Sequence, residues 1–123
     1  MTSVKSNTDL DHYNHLCQEY RWHVPENFNI ADVCCHRWSN DKARIAIHYE
    51  DELGHTSNLS YAAMQAQANR MSNVLRNLGV RRGECVAIIL PQRPETAVAL
   101  MACFQIGAVA MPLSTLFGPD ALE

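Results

Sequence analysis

The sequence has little of what marks a nucleic-acid-binding or membrane protein. Its 10 lysines and arginines are outnumbered by 13 aspartates and glutamates and form no basic stripe, so nucleic acid and anionic membranes are poor candidates as partners. The one long apolar stretch, residues 97–113, is shorter than the ~20 residues of a membrane span and contains Gln105, Gly107 and Pro112. No membrane span is predicted. The N-terminal residues lack the apolar segment of a secretory signal, which predicts a cytoplasmic protein.

Cysteine is present, but in no pattern typical of a redox, catalytic or structural-metal site. The odd number of cysteines and the lack of a CxxC pair argue against a disulfide framework. The sequence points to no partner that would lower a thiol pKa, which favours buried free thiols over a catalytic thiol. Cys34-Cys35-His36 is too compact to form a tetrahedral metal site alone. The cysteines are Cys17, Cys34, Cys35, Cys85 and Cys103.

Two histidines near the N-terminus allow a metal hypothesis. His12, His15 and Glu19 are spaced so that they could share one helix face and hold a metal ion. A solvated helix face explains the same spacing and is the commoner outcome for three such residues on a terminal helix. We therefore predict no metal site.

With 5 glycines in 123 residues, the sequence also lacks the glycine-rich loops that bind phosphates. The turn after Leu90 reads PQRPE and has none of the close-packed glycines that a dinucleotide pyrophosphate requires. The sequence GVRRG at residues 79–83 precedes a predicted strand, whereas a phosphate loop follows a strand and opens a helix. We interpret GVRRG as a turn, and the chain is a poor candidate for a dinucleotide-binding domain.

What the sequence does contain is a continuous strand–helix–strand signal. Residues 86–90 are a short apolar run, typical of a strand in a parallel sheet. Residues 94–106 are predicted to form a helix with proline in its first turn and glycine just after its end. Residues 97–104 contain no polar side chain, so this helix should lie between layers. Residues 108–113 supply the second strand of a parallel βαβ unit.

Upstream of that unit, the patterns predict two helices and a hairpin. A first helix is expected to be capped by Thr8, and a second to run from Asn29 through Trp38, with Trp38 as its anchor. Residues 43–49 and 55–59 are predicted to form a hairpin around a solvated acidic turn.

A third helix is predicted to start after Ser60, a suitable N-cap. It carries one apolar face, which is expected to pack against the sheet and consists of Met64, Ala68, Met71, Leu75 and Leu78. The predicted fold class is α/β, with N-terminal helices and a hairpin packed on a partial parallel βαβ sheet.

The last residues predict that this chain is part of a longer protein. Residues 118–123 have the proline and acidic residues of a helix start. A doubly wound sheet also needs more than two parallel strands, and an almost wholly apolar helix needs cover on several sides.

Several linked segments resemble one enzyme family. The sequence LSYAAMQAQANRMSNVLRNLGVRRGECVAIILPQRPETAVALMACFQIGAVAMPLSTLFGPDALE is similar to the N-terminal region of the AMP-forming acyl-CoA synthetases, in the adenylate-forming superfamily. RWHVPENFNIADVCCHRW resembles the opening of its short- and medium-chain branch. The resemblance implies that residues 25–123 are the incomplete N-terminal part of an AMP-binding domain, preceded by a tail and helix at residues 1–24.

The resemblance also implies a reaction and its cofactors. In that family a carboxylic acid attacks the α-phosphate of Mg-ATP to give an acyl-adenylate and pyrophosphate, and coenzyme A then displaces AMP. ATP, Mg²⁺ and coenzyme A are thus implied for the full-length enzyme, and none is expected to be bound by this chain alone. No segment matches the family's phosphate loop, magnesium ligand, ribose-binding aspartate or catalytic lysine, so no catalytic residue is predicted here.

Two segments are predicted to border the site of the full enzyme, because ligands of open α/β sheets bind beyond the carboxyl ends of the strands. The first is Pro91-Gln92-Arg93, and for Arg93 a surface role is favoured over a phosphate contact. The second resembles the family segment beside the coenzyme A tunnel, although some short-chain members have paired glycines where this chain has Thr115 and Leu116. It consists of Ser114, Thr115, Leu116, Phe117 and Gly118.

Two function hypotheses follow from these observations. The leading hypothesis is the N-terminal fragment of an ATP-dependent acyl-CoA ligase, inactive alone. The alternative is a stand-alone oligomerisation or interaction module derived from the same fold. An uncovered apolar helix and open strand edges also predict that the isolated chain self-associates.

Overall fold

A computed structural model describes residues 7–118 and residue 120 of the chain. The order of its main elements is α1, α2, β1, β2, α3, β3, α4, β4. Their bounds are Asn7–Glu19 for α1, Ile30–Cys34 for α2, Ile45–Glu50 for β1, Thr56–Ser60 for β2, Tyr61–Asn77 for α3, Cys85–Ile88 for β3, Pro94–Ile106 for α4 and Val109–Pro112 for β4. A short 3-10 helix, His36–Trp38, follows α2. The helix predicted to start at residues 118–123 falls on residues outside those described.

The predicted βαβ unit is confirmed. β3 and β4 pair in parallel, in a register that places Cys85 opposite Val109. α4 begins at Pro94, where the missing backbone N–H would have no helical partner. It ends before Gly107, whose φ of 73° is the left-handed conformation that glycine adopts without strain.

α4 lies between layers, as its lack of a polar stripe predicts. It contacts β3 and β4, and it also contacts α2 and α3. Two side chains donate hydrogen bonds to its backbone carbonyls: Ser72 Oγ to Ala102 at 3.1 Å and Asn29 Nδ2 to Phe104 at 3.0 Å. The buried residues of α4 are Val98, Ala99, Ala102 and Cys103. None of the helices within residues 7–118 is both long and apolar enough to cross a membrane.

α3 packs mainly on α4, and the predicted packing against the parallel sheet holds for Leu75 and Met71, which join the cluster that contains Ile88. Met64, Ala68 and Leu75 are buried, but Leu78 is 76% exposed. The apolar repeat therefore runs past the surface that α4 covers, and Leu78 only caps the end of the helix. Helical periodicity identifies an apolar face but not the element that will cover each residue on it.

The predicted helix from Asn29 through Trp38 is broken at Cys35, which corrects the sequence prediction. Asn29 does cap α2, accepting a hydrogen bond from the Ala31 N–H at 2.8 Å. Cys35 then has non-helical angles, φ −134° and ψ −64°. Its side chain is fully buried in a cluster with Met64 and Val98, and we attribute the break to this insertion into the core.

Trp38 anchors the segment after α2, as predicted. Its indole Nε1 donates a hydrogen bond to the Val33 carbonyl at 3.0 Å. The Arg44 guanidinium lies 4.0 Å from the ring centroid, a cation–π distance. This stack connects the α2 region to β1, because Arg44 immediately precedes that strand.

The hairpin is also confirmed. β1 and β2 pair antiparallel, and His48 Nδ1 lies 2.7 Å from Asn58 Oδ1 across the strands. The acidic turn is organised by Asp51, whose carboxylate accepts hydrogen bonds from the His55 side chain and from the backbone N–H groups of His55 and Leu53. The side-chain hydrogen bond from His55 is the main cause that lowers the pKa of Asp51.

The N-terminal helix differs from its prediction at one end. α1 already includes Asn7, so Thr8 lies within the helix instead of capping it. Two aromatic side chains are exposed here: Tyr13 in α1 is 67% accessible, and Tyr20, directly after α1, is 60% accessible.

One face of the parallel sheet is apolar and exposed. Strand residues point alternately to opposite faces, and Val86 and Ile88 point toward the α4 side, where they join the main core. The other face, which we call the open sheet face, consists of Cys85, Ala87, Val109 and Met111, all exposed. Because purely parallel sheets normally have both faces covered, this surface resembles a core that lacks one side.

Leu75→Ala is expected to lower the free energy of unfolding by about 2–5 kcal/mol, because Leu75 is 5% exposed and packs with Ile88 and Ala102. Leu78→Ala is the matched control: it makes the same chemical change one turn later on the exposed surface, and about 0.5 kcal/mol or less is expected. Urea denaturation of both variants measures the difference. Equal losses would contradict the assignment of the buried face of α3.

Candidate functional site

The two segments predicted to border a ligand site are neighbours in the structure. Both follow parallel strands, so they meet at the carboxyl edge of the sheet. The Leu113 N–H donates a hydrogen bond to the Ile88 carbonyl at 2.9 Å and joins the two strand ends. The candidate functional site is this edge, formed by residues 91–93 and 114–118.

The segment 114–118 forms an exposed turn. The Ser114 hydroxyl accepts a hydrogen bond from the Leu116 N–H at 3.1 Å, and the Ser114 carbonyl accepts one from the Phe117 N–H at 3.2 Å. Leu116 is 91% exposed and Phe117 47% exposed. Two large apolar side chains are thus presented at the edge where a ligand would pass, and the border of a coenzyme A tunnel remains a prediction for this segment.

The segment after β3 carries one exposed cation. Arg93 Nε lies 3.5 Å from Glu95 Oε2, and both side chains are more than half exposed. A groove of about 500 Å³ separates Arg93 and its neighbours from the acidic turn of the hairpin. The pairing with Glu95 agrees with the surface role that the sequence favoured for Arg93.

The thiols provide no activated nucleophile at this edge. Cys35 and Cys103 are buried, and burial raises the pKa of both thiols, with the charge of Cys34 adding to the effect at Cys35. A raised pKa leaves less thiolate at neutral pH, so both residues are packing groups. Cys17, Cys34 and Cys85 are exposed.

The residues of the metal hypothesis lie on the surface. His15 Nε2 is 3.3 Å from Glu19 Oε2, an exposed pair one helical turn apart. Within the part of the chain that the structure describes, no three histidine, cysteine, aspartate or glutamate side chains are grouped so that they could hold a metal ion.

Sequence reasoning missed a cluster of three side-chain amides between α3 and α4. Gln65 Nε2 donates to Asn69 Oδ1 at 2.8 Å and to Gln105 Oε1 at 3.3 Å, and Gln105 Nε2 donates to Asn69 Oδ1. A signal was available: Gln65 and Asn69 are four residues apart on one helix face, and Gln105 interrupts the apolar run of α4.

Comparison with known proteins connects this geometry to a family. The family described as "AMP-binding enzyme" matches residues 35–123. The acetyl-coenzyme A synthetase of Streptomyces coelicolor is 38% identical over 104 residues, which cover 83% of this chain and 16% of that protein. The acetyl-coenzyme A synthetase of Shewanella pealeana is 33% identical over 123 residues, which cover 98% of this chain and 18% of that protein.

Solved structures show the same fold. The acyl-CoA synthetase of Brucella canis superposes with a TM-score of 0.78 at 23% identity, over 89% of this chain and 22% of that structure. The N-terminal subdomain of Klebsiella oxytoca NpsA gives a TM-score of 0.63 at 22% identity, over 75% of this chain and 23% of that structure.

These matches confirm the resemblance drawn from the sequence. The chain spans about a sixth of the length of the acetyl-coenzyme A synthetases it matches. The family match covers well over half of the chain, and it includes both segments of the carboxyl edge. The chain therefore belongs to the AMP-binding enzyme family.

Proposed function

We propose that this chain is the N-terminal part of an ATP-dependent acyl-CoA ligase. Such an enzyme joins a carboxylic acid to coenzyme A through an acyl-adenylate, with ATP, Mg²⁺ and coenzyme A as cofactors. The observation that carries the proposal is the family match over residues 35–123, together with relatives that are acetyl-coenzyme A synthetases about six times as long. Acetate is accordingly the first acid to test.

The role of the chain in that enzyme is architectural. Acyl-adenylate formation requires positioned cations and N–H donors around the phosphates, in a pocket that excludes water. In the described residues the turn before α4 carries Arg93, which already pairs with Glu95. We therefore propose that the chain alone is inactive and that its βαβ unit supplies one border of the site.

Two further parts of the proposal concern organisation and location. Residues 25–123 are proposed to be the incomplete N-terminal part of the AMP-binding domain, with residues 1–24 as a preceding tail and helix. The cytoplasm remains the proposed location. The stand-alone interaction module gains no support from the comparisons, whose named relatives are enzymes.

The function is tested with a chimera in which this chain replaces the matching residues of the Streptomyces coelicolor relative. We expect the chimera to catalyse acetate-dependent exchange between pyrophosphate and ATP. The rest of the relative would supply the phosphate loop, the magnesium ligand and the catalytic lysine, which no segment of this chain matches. The 123-residue chain alone is expected to give no exchange above a heat-inactivated control. Exchange by the chain alone, or a folded but inactive chimera, would contradict the proposal.

The coenzyme A border is tested by Phe117→Ala in the same chimera. Loss of a large apolar contact should raise the KM for coenzyme A by about tenfold. The exchange reaction needs no coenzyme A and should be unchanged. Leu53→Ala, at the 82% exposed hairpin turn, is the control and should alter neither reaction. An unchanged KM in Phe117→Ala would remove segment 114–118 from the tunnel.

We also propose that the isolated chain self-associates through the open sheet face. The supporting observation is that four neighbouring side chains of β3 and β4 are apolar or sulfur-bearing and exposed, and such a surface favours pairing with a second copy in pure solution. The apolar residues of α4 contribute less than the sequence suggested, because most are buried or half-buried within the chain.

Sedimentation equilibrium at micromolar concentration is expected to show a dimer or larger assembly. Cys85 lies on the open sheet face, so a short bis-maleimide should cross-link two copies through it, and Cys85→Ala should abolish that product without changing the sedimentation. Cys17→Ala, which removes an exposed thiol from α1, is the matched control. A folded monomer would exclude self-association.

A further inference from the structure

A cationic cluster lies on the surface where the segment after α2 meets the starts of β1 and α3. Arg44 Cζ lies 4.0 Å from the Trp38 ring centroid and 5.8 Å from that of Tyr61. Arg37 Cζ lies 5.6 Å from the Trp38 ring centroid, so two guanidinium groups share one indole side chain. We call this cluster the Trp38 platform. It consists of Arg37, Trp38, Arg44 and Tyr61, and it shares no residue with the carboxyl edge of the sheet.

The groups that hold Arg44 are themselves fixed. Trp38 is half-buried, and its indole Nε1 donates a hydrogen bond to the Val33 carbonyl at 3.0 Å. The Tyr61 N–H donates to the Arg44 carbonyl at 3.0 Å, which restrains the backbone that carries the guanidinium. A guanidinium stacked on an aromatic face keeps its N–H groups, which lie in its own plane, directed outward. Arg44 is therefore positioned as a donor before any ligand arrives.

The two guanidinium groups lack a counter-ion within the part of the chain that the structure describes. Neither Arg37 nor Arg44 forms an ion pair or donates a side-chain hydrogen bond to a described residue. The nearest carboxylate in the sequence belongs to Asp41, whose Oδ1 accepts a hydrogen bond from the Ala43 N–H at 3.0 Å and organises the turn before β1. Because like charges repel, two cations on one ring favour the arrival of an anion.

The number of positive charges selects the kind of anion. A planar guanidinium matches the oxygens of both carboxylates and phosphates. A carboxylate brings one negative charge, whereas a phosphate monoester brings about 1.5 to 2 charges at neutral pH and three acceptor oxygens. Only the phosphate monoester can neutralise two guanidinium groups and accept hydrogen bonds from both at once.

From this arrangement we propose that the Trp38 platform binds a phosphate monoester group. Arg44 donates to the phosphate oxygens from its stacked guanidinium, and Arg37 balances the second negative charge. A small phosphorylated compound and a phosphorylated side chain of a polypeptide share this chemistry, and the two sources are distinguished below.

The test titrates inorganic phosphate into Trp22→Phe, a variant in which Trp38 is the only tryptophan. Trp38 fluorescence is followed at mildly alkaline pH and constant ionic strength, and a saturable change is expected. Dimethyl phosphate has the same phosphorus centre but a single negative charge, and it should bind severalfold more weakly. Equal binding of dimethyl phosphate, or the same response to sodium chloride, would overturn the proposal.

The role of Arg44 is tested by calorimetric titration, because its removal also changes the surroundings of Trp38. Arg44→Gln should weaken phosphate binding by about tenfold, in line with the loss of hydrogen bonds to a charged group. Arg44→Lys keeps the charge without the planar donor array and should recover only part of the affinity. Arg76→Gln makes the same change at an exposed arginine in the last turn of α3 and should leave the affinity unchanged. Unchanged binding by Arg44→Gln would exclude the site.

A second variant keeps the proposal testable if Arg44→Gln unfolds. Arg37 is exposed, so Arg37→Gln should leave the circular dichroism spectrum unchanged. It removes one of the two charges and should weaken phosphate binding severalfold, with the stack of Arg44 on Trp38 intact. A folded Arg37→Gln with the original affinity would contradict the paired-cation site.

The source of the phosphoryl group is resolved by a capped Gly-phosphoserine-Gly peptide. Tighter binding of the peptide than of inorganic phosphate identifies a phosphorylated polypeptide, and equal or weaker binding identifies a small phosphorylated compound. No saturable binding of either probe would show that the Trp38 platform is not a phosphate site. None of these outcomes depends on the ligase proposal, which the chimera tests separately.

Discussion

Among the residues that the structure describes, two hydrophobic clusters form, and both depend on one helix, α4. Ala99, Ala102 and Cys103 of α4 belong to the cluster that joins α3 to the parallel strands, and Val98 belongs to the cluster around Cys35. Small side chains at these positions let neighbouring elements approach closely, and close packing is what core stability requires. Without α4 the hairpin, the Cys35 segment, α3 and the parallel strands would have no shared interior.

Polar groups accompany this apolar packing along the contact between α3 and α4. Ser72 donates to the Ala102 carbonyl from a buried position, and the Gln65, Asn69 and Gln105 amides extend the polar contacts toward the end of α4. Hydrogen bonds between specific partners restrict how two apolar helices can slide past each other. We attribute the single alignment of α3 on α4 to this combination.

Local signals explain which parts of the fold could be predicted from the sequence. Proline at the start of α4, glycine after it and the uniform apolar runs beside it are properties of neighbouring residues, and they gave the βαβ unit correctly. The break at Cys35 and the exposure of Leu78 depend on which element covers each residue. The periodicity of the sequence does not predict that element. The carboxyl edge followed from topology, whereas the amide cluster between α3 and α4 requires Gln65 and Gln105, 40 residues apart in the chain, to meet.

The position of α4 late in the chain has a consequence for synthesis on the ribosome. α2 and α3 end at Cys34 and Asn77, but the residues that complete their core begin at Pro94. During translation these earlier elements therefore remain without a closed interior until α4 has left the exit tunnel. Their apolar side chains are available to chaperones during that interval, which lasts as long as the ribosome takes to extend the chain until α4 emerges.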